Sequence, residues 1–203
     1  MSRVGGAVPL RAAAASIAIV AVALVSGCSS DPLAEDYLDG GNTNYISGDG
    51  IVEVPEAERG DPIDFAGTTD TGETVSRADF DGEVVVVNFW YAACAPCRAE
   101  APDLEAVAQQ YDGNGAAFIG VNVYDSAENS LAFARRYDVS YPSLLDASDG
   151  SVRLAFAGDI APNAVPTTFV LDAEGRIAAR ILGQIAERSI LDTLVGDVVA
   201  ETR

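Results

Sequence analysis

Two continuous apolar runs lie in the middle of this chain. One extends from Glu83 to Phe89, and the other extends from Ala116 to Val123. Apolar runs of this length without polar alternation are typical of strands that are buried on both faces of a sheet. The pattern therefore predicts a central β-sheet that is covered on both sides.

Other segments carry apolar residues at helical spacing. We predict helices from Cys94 to about Tyr111, from Ala127 to Tyr137 and from Ala186 to Val199, with a short helical piece from Ser151 to Phe156. Because these helices alternate with the apolar runs along the chain, the pattern favours an α/β layer fold.

Shorter strands complete the predicted sheet. Asp61–Phe65 and Asp70–Val75 are expected to form two strands joined by a turn, and Ser143–Leu145 one more. Pro166–Asp172 and Arg176–Leu182 flank the turn residues Ala173, Glu174 and Gly175, so they predict a β-hairpin. The expected architecture is a central mixed sheet flanked by helices.

The first part of the chain has the composition of an export signal. A basic segment with Arg3 and Arg11 precedes the apolar stretch Ala12–Val25, which is short for a membrane span. Residues 1–27 are therefore interpreted as a lipoprotein-type signal peptide and Cys28 as the lipidated first residue of the mature protein. A plain signal peptide and a retained anchor helix are the alternatives. All three place the domain outside the cytoplasm.

Residues 28–57 are expected to be an acidic linker, and residues 58–203 the folded domain. The linker is rich in Gly, Asp, Asn and Ser between residues 29 and 50 and shows no periodicity there.

Composition narrows the possible chemistry. The chain has 12 basic and 31 acidic residues, for a formal net charge of −19, so nucleic-acid binding is disfavoured. It has no His, which excludes Ser–His and Cys–His nucleophile pairs and His metal ligands. We therefore expect neither a metal nor a cofactor.

Cys94 and Cys97 form a C-x-x-C pair between the first apolar run and a predicted helix. Backbone N–H groups and the helix dipole at a helix N-terminus favour a thiolate, which is the reactive form of cysteine. A static disulfide or half of a zinc site is the alternative, but no second C-x-x-C is present to complete a metal site.

These motifs resemble the TlpA/ResA-like branch of membrane-anchored thiol–disulfide oxidoreductases in the thioredoxin superfamily. The matching residues are Asn88-Phe89-Trp90, the C-x-P-C pair, Arg98-Ala99-Glu100, Pro102 and the segment Val165–Asp172. The resemblance covers residues 60 to 200 approximately. It implies a thioredoxin-like fold with an N-terminal β extension and an insert before a strand that begins with a cis-proline.

The resemblance also implies roles for individual residues. Cys94 is expected to be the attacking thiol, exposed at the helix end, and Cys97 the more buried resolving thiol. They are expected to form a redox-active disulfide through a mixed disulfide with the partner. Glu100 lies one helical turn after Cys97, where a carboxylate can raise a thiol pKa and accept its proton. A solvated helix glutamate is the alternative.

Four residues are candidate substrate contacts. Pro166 occupies the position of the family's cis-proline, and with Val165 and Thr167 it is expected to present backbone groups to an extended substrate segment. Trp90 is included with them, although we interpret it mainly as core beneath the site.

The implied function is dithiol exchange outside the cytoplasm. The favoured role is reduction of exported proteins such as apocytochrome c by a monomer that a membrane thiol carrier re-reduces. A disulfide-forming oxidase is the main alternative, since direction depends on the redox potential. A peroxiredoxin-like peroxidase would need Thr and Pro where Tyr91 and Val87 stand. A copper chaperone of related fold would need a C-x-x-x-C pair and a His.

Overall fold

The computed structural model describes residues 50–158 and 164–202. The signal segment 1–27, the candidate lipidation site Cys28 and the linker up to residue 49 lie outside this range. None of the helices in the described part of the chain is long and apolar enough to cross a membrane.

The central strand of the fold is β4, Val84–Trp90, and every residue in it is buried. Its side chains alternate between two hydrophobic clusters, with Val84 and Val86 in one and Val85, Val87 and Phe89 in the other. Both faces of β4 are therefore covered, as its unbroken apolar run predicts.

In the part of the chain that the structure describes, the main sheet has six strands: β1 (Ile51–Glu53), β4, β5 (Ala116–Asn122), β6 (Ser143–Leu145), β7 (Thr167–Leu171) and β8 (Ile177–Leu182). Their order across the sheet is β1-β8-β7-β4-β5-β6. Strands β4, β5 and β6 are parallel, whereas β7 and β8 run antiparallel to their neighbours, so the sheet is mixed as predicted.

In the described ranges 50–158 and 164–202, four α-helices accompany the sheet: α1 (Ala95–Tyr111), α2 (Ala127–Tyr137), α3 (Ser151–Ala155) and α4 (Arg188–Glu201). Helices α1 and α4 cover one face, where Leu104 and Val107 meet Leu191 and Val195 in the larger cluster. The short helix α3 covers part of the other face through Val152. It belongs to the expected insert before β7.

A separate two-stranded sheet forms the N-terminal β extension. Its strands are β2 (Ala66–Thr68) and β3 (Thr74–Ser76), so the first lies later than the predicted strand Asp61–Phe65. Phe65 is buried against the second cluster instead of continuing a strand. The hairpin is tied to the main sheet by a bridge between Thr69 and Leu144.

The folded domain begins earlier than residue 58, the start that the sequence suggests. Ile51–Glu53 pairs with β8, with Ile51 opposite Ile181, and forms the edge strand β1 of the main sheet. A three-residue strand is too short to show a clear period-2 pattern. Its pairing partner also lies far along the chain, so no local pattern predicts it. The described end of the expected linker is therefore part of the sheet.

Candidate active site

The two cysteines of the C-x-x-C pair are joined by a disulfide at the start of α1. Their Cα atoms are 5.3 Å apart. Cys94 is the N-cap residue of the helix, and its Sγ accepts a hydrogen bond from the Cys97 backbone N–H at 3.1 Å. A helix N-terminus offers such N–H groups and a partial positive charge, so a thiolate formed at Cys94 is stabilised there.

The expectation that Cys94 is exposed is wrong for the disulfide form, in which both cysteines are buried. The exposed fraction is 3% for Cys94 and 2% for Cys97. Both sulfur atoms belong to one buried cluster with Trp90, Ala101 and Phe133. Both cysteines are buried because the loop before Cys94 and the aromatic rings pack over them. A partner protein must therefore reach the sulfur atoms through a gap between these groups.

Trp90 is part of that cover and is itself buried, with 5% of its surface exposed. Its Nε1 donates to the Ser143 hydroxyl at 3.1 Å, and its ring lies 4.2 Å from that of Phe133. These contacts agree with the interpretation of Trp90 as core beneath the site and leave little of its ring for a substrate contact.

The segment before β7 lies against the cysteines, as the resemblance implies. The Val165–Pro166 peptide bond is cis, and Val165 packs on the cluster that contains both cysteines. Thr167 is fully buried and donates from its hydroxyl to the Ala164 carbonyl at 2.8 Å. Within the described residues, no hydrogen bond occupies the backbone groups of Val165.

Glu100 is a buried carboxyl group with no exposed surface. Its Oε1 accepts from Asn88 Nδ2 at 3.0 Å, and its Oε2 accepts from the Ile185 backbone N–H at 2.9 Å. Burial raises the pKa of Glu100 to about 7, although both hydrogen bonds act in the opposite direction. The alternative of a solvated helix glutamate is therefore wrong, because Asn88 and the loop that carries Ile185 enclose the carboxyl.

Asn88 is a site residue whose hydrogen-bonding role we did not predict. Its Nδ2 also lies 3.0 Å from the Thr168 hydroxyl oxygen, so it joins α1 to β7 across β4. A cavity of about 10 Å³, roughly the size of one water, is lined by Asn88 and Cys97. The sequence held a signal for this role, because Asn88 is a polar residue inside an apolar run. A buried side-chain amide needs hydrogen-bond partners, so partners for Asn88 could have been expected.

The loop before Cys94 is held by Asp125, which the sequence did not single out. Asp125 Oδ2 accepts from the Ala92 backbone N–H at 2.6 Å and from Asn122 Nδ2 at 3.0 Å. Asn122 is the last residue of β5 and Asp125 follows it, next to the end of β4 that delivers the cysteines. Adjacent carboxyl ends of parallel strands bring such residues together, and this was the usable signal.

The structure thus gathers Trp90, Cys94, Cys97, Glu100, Val165, Pro166 and Thr167 around one end of β4. Seen against known proteins, residues 60–180 match the model of the AhpC/TSA family. Thiol-disulfide oxidoreductase ResA of Bacillus subtilis is 30% identical over 136 residues, which cover 67% of this chain and 73% of that protein.

Solved structures of similar proteins have the same fold. A DsbF homologue from Corynebacterium diphtheriae has 30% identity and a TM-score of 0.65 over 74% of this chain and 94% of its own. A secreted thiol-disulfide isomerase from Corynebacterium glutamicum has 29% identity and a TM-score of 0.65 over 78% and 98%. The predicted thioredoxin-like fold is confirmed. The chain therefore belongs to the AhpC/TSA family and is a thioredoxin-like thiol–disulfide oxidoreductase of the ResA type.

Proposed function

We propose that this protein is an extracytoplasmic reductase of disulfides in exported proteins, with apocytochrome c as the expected substrate. The observation that supports this direction most strongly is the buried carboxyl of Glu100, one helical turn beyond Cys97. It acts on the thiols through its charge and through its affinity for a proton.

A carboxylate near a thiol disfavours the thiolate. Strong oxidants of this fold owe their high potential to a stabilised reduced form. In this protein the helix N-terminus stabilises the Cys94 thiolate, whereas ionised Glu100 destabilises charge at Cys97. Ionisation therefore stabilises the reduced form of the Cys94–Cys97 pair less than it stabilises the reduced form of a strong oxidant. Because the reduced form is less stable, the redox potential is lower, and reduction of a partner is favoured.

The reaction then proceeds by two exchanges. The Cys94 thiolate attacks a sulfur of the partner disulfide, forms a mixed disulfide and releases one partner thiolate, which takes up a proton. Cys97 loses its proton and attacks Cys94 Sγ, which forms the Cys94–Cys97 disulfide and releases the second partner thiol. Glu100, the buried carboxyl one helical turn beyond Cys97, accepts the Cys97 proton. A membrane thiol carrier returns two electrons and two protons.

Val165 positions the partner. Its backbone groups are unused within the described residues and lie beside the cysteine cluster, so they are available to pair with an extended segment of the substrate. Pro166 and Thr167 hold this segment at the start of β7, where Thr167 bonds Ala164.

The redox potential of the Cys94–Cys97 couple tests the direction of electron flow. We expect a value near the thioredoxin end of the known range, about −270 mV, and a less negative value for Glu100→Gln. A potential near about −120 mV would contradict the reductase and support a disulfide-forming oxidase. The peroxidase alternative has no support at these positions, because Tyr91 stands where a peroxidase needs Thr and Val87 stands where it needs Pro.

We also propose that residues 1–27 direct export and that Cys28 carries a lipid anchor, which keeps the domain on the outer face of the cytoplasmic membrane. Two or more acyl chains anchor a protein stably, because each buried CH₂ contributes roughly 0.8 kcal/mol. Replacement Cys28→Ser is expected to release the protein into the medium. Retention of this variant in washed membranes would refute lipidation while leaving the dithiol chemistry untouched.

A further inference from the structure

A groove of about 390 Å³ opens beside the disulfide, with Ala92 of the preceding loop in its lining. Arg98 of α1 and Arg136 of α2 are both exposed and line the same groove. The buried ring of Phe133 and the half-buried ring of Tyr137 give it an aromatic floor. The groove therefore combines two cations with apolar surface.

The floor of the groove continues into the buried cluster around the disulfide. The ring of Phe133 lies 4.5 Å from Tyr137 on one side and 4.2 Å from Trp90 on the other. Phe133 also belongs to the cluster that contains Cys94 and Cys97. A chain that lies in the groove thus contacts Phe133, which packs in the same cluster as both cysteines.

The two arginines lack carboxylate partners within the described part of the chain. Arg98 uses only Nη1, which donates to the Ala93 carbonyl at 3.2 Å and to the Ala92 carbonyl at 3.4 Å. The guanidinium carbon of Arg136 lies 5.7 Å from the centroid of the Tyr137 ring. Most of their N–H donors therefore remain available to a ligand.

The groove places two arginines together in a chain of formal net charge −19. Among the other arginines that the structure describes, three lie within 4 Å of a carboxylate: Arg59, Arg153 and Arg176. Asp125, whose carboxylate contacts Ala92 at the groove, is already bound to the Ala92 N–H and to Asn122. Its hydrogen bonds are directed to the loop, so it leaves the arginines unpaired.

We propose that this groove binds an acidic peptide segment next to the disulfide of the substrate protein. The proposal rests on the proposed reductase function and adds a preference among its substrates. Carboxylates accept paired hydrogen bonds from guanidinium groups, which neutral side chains cannot match. The peptide backbone lies over Phe133 and Tyr137, and acidic side chains next to its cysteines meet Arg98 and Arg136.

Two synthetic peptides with one intramolecular disulfide test this preference. They share one sequence except that Asp residues beside the cysteines in the first are Asn in the second. The reduced protein converts the peptide disulfide to two thiols, and its own Cys94 and Cys97 thiols become a disulfide in the exchange. Dithiothreitol then reduces the Cys94–Cys97 disulfide again. We expect kcat/KM for the Asp peptide to exceed that for the Asn peptide.

Arg136→Gln is expected to reduce the ratio of kcat/KM for the Asp peptide to kcat/KM for the Asn peptide by about two- to five-fold, as for the loss of an exposed ion pair. The matched control is Arg135→Gln, since Arg135 is also exposed on α2 but does not line the groove. Arg135→Gln should leave the Asp-to-Asn ratio of kcat/KM unchanged at low salt. Raising the salt concentration should lower the ratio for the wild type more than for Arg136→Gln.

Three outcomes would overturn the proposal. The first is an equal kcat/KM for both peptides with the wild type, and the second is an unchanged Asp-to-Asn ratio of kcat/KM in Arg136→Gln. The third is a decrease of that ratio in Arg135→Gln as large as in Arg136→Gln, which would show that the preference follows the net charge of the protein and not the groove. Each leaves the reductase function standing, because both peptides are still reduced. Failure to reduce either peptide would instead contradict the reductase function itself.

Discussion

The buried carboxyl of Glu100 and the side-chain amide of Asn88 are joined by a hydrogen bond of 3.0 Å, although the two residues lie on different elements. Asn88 belongs to β4 and Glu100 to α1, which are connected through the loop that carries the cysteines. This bond and that from the Ile185 N–H fix both oxygens of the carboxyl. The proton affinity of the group is thus built into the fold beneath the disulfide.

Ionisation of Glu100 should weaken folding. Its pKa rises from 4.5 to about 7 on burial, so the native state holds the proton more tightly than the unfolded chain does. The stability from protonated Glu100 is complete below about pH 4.5 and is lost as the pH rises through about 7, by roughly 3 kcal/mol in all. Urea unfolding of the oxidised protein at about pH 5 and about pH 8 measures this loss.

The control for that experiment is Glu100→Gln. Glutamine cannot ionise, so its unfolding free energy should fall less over the same pH interval than that of the wild type. One of its terminal atoms is an NH₂ group that faces a donor, Asn88 or Ile185, so the variant is less stable by an amount that does not depend on pH. Equal pH dependence in both proteins would show that Glu100 does not titrate in this interval.

Removal of the resolving thiol should trap the substrate. In Cys97→Ser no thiol can displace the partner from Cys94, so mixed disulfides accumulate. Non-reducing electrophoresis and mass spectrometry identify the trapped proteins, and Cys94→Ser is the control that should trap none. The absence of c-type apocytochromes and their maturation proteins among the partners would refute the apocytochrome substrate.

The contact between Trp90 and Ser143 should be sensitive to Gly120. A Cβ atom at Gly120 would meet the Ser143 hydroxyl oxygen and lie 2.7 Å from Trp90 Nε1. Gly120→Ala should therefore lower the free energy of unfolding by about 1–3 kcal/mol. Gly60→Ala is the matched control, because a Cβ there has nothing within 4 Å, and its change should stay within about 0.5 kcal/mol. Equal stability of both variants would mean that the sheet accommodates the methyl group beside Trp90.

Asp125 should hold the loop before Cys94. Asp125→Ala leaves the Ala92 N–H without its acceptor and should lower the free energy of unfolding by about 1–3 kcal/mol. Hydrogen exchange at the Ala92 amide should become faster than in the wild type. Asp103→Ala is the control, since Asp103 is half-buried, as Asp125 is, and its side chain has no hydrogen bond within the described residues. Unchanged exchange at Ala92 would indicate that other contacts hold the loop.

Elements with strong local patterns were predicted closely. Helix Ala127–Tyr137 and strand Ser143–Leu145 have the predicted bounds, and strand β4 differs from its prediction only at the ends. Apolar periodicity over such segments reports directly which side of an element faces the core. The edge strand Ile51–Glu53 was missed because its pairing depends on β8.

The sequence by itself determined the chemistry: two thiols at a helix start, no histidine to join them, and the cis-proline segment that the resemblance placed beside them. Only the tertiary structure decided the environment of those thiols. Glu100 meets Ile185, a residue 85 positions away, and Cys94 is covered by rings from α2. Such contacts depend on how strands and helices are stacked, and no local pattern encodes that order. Burial and proton affinity at the site are therefore properties of the assembled fold.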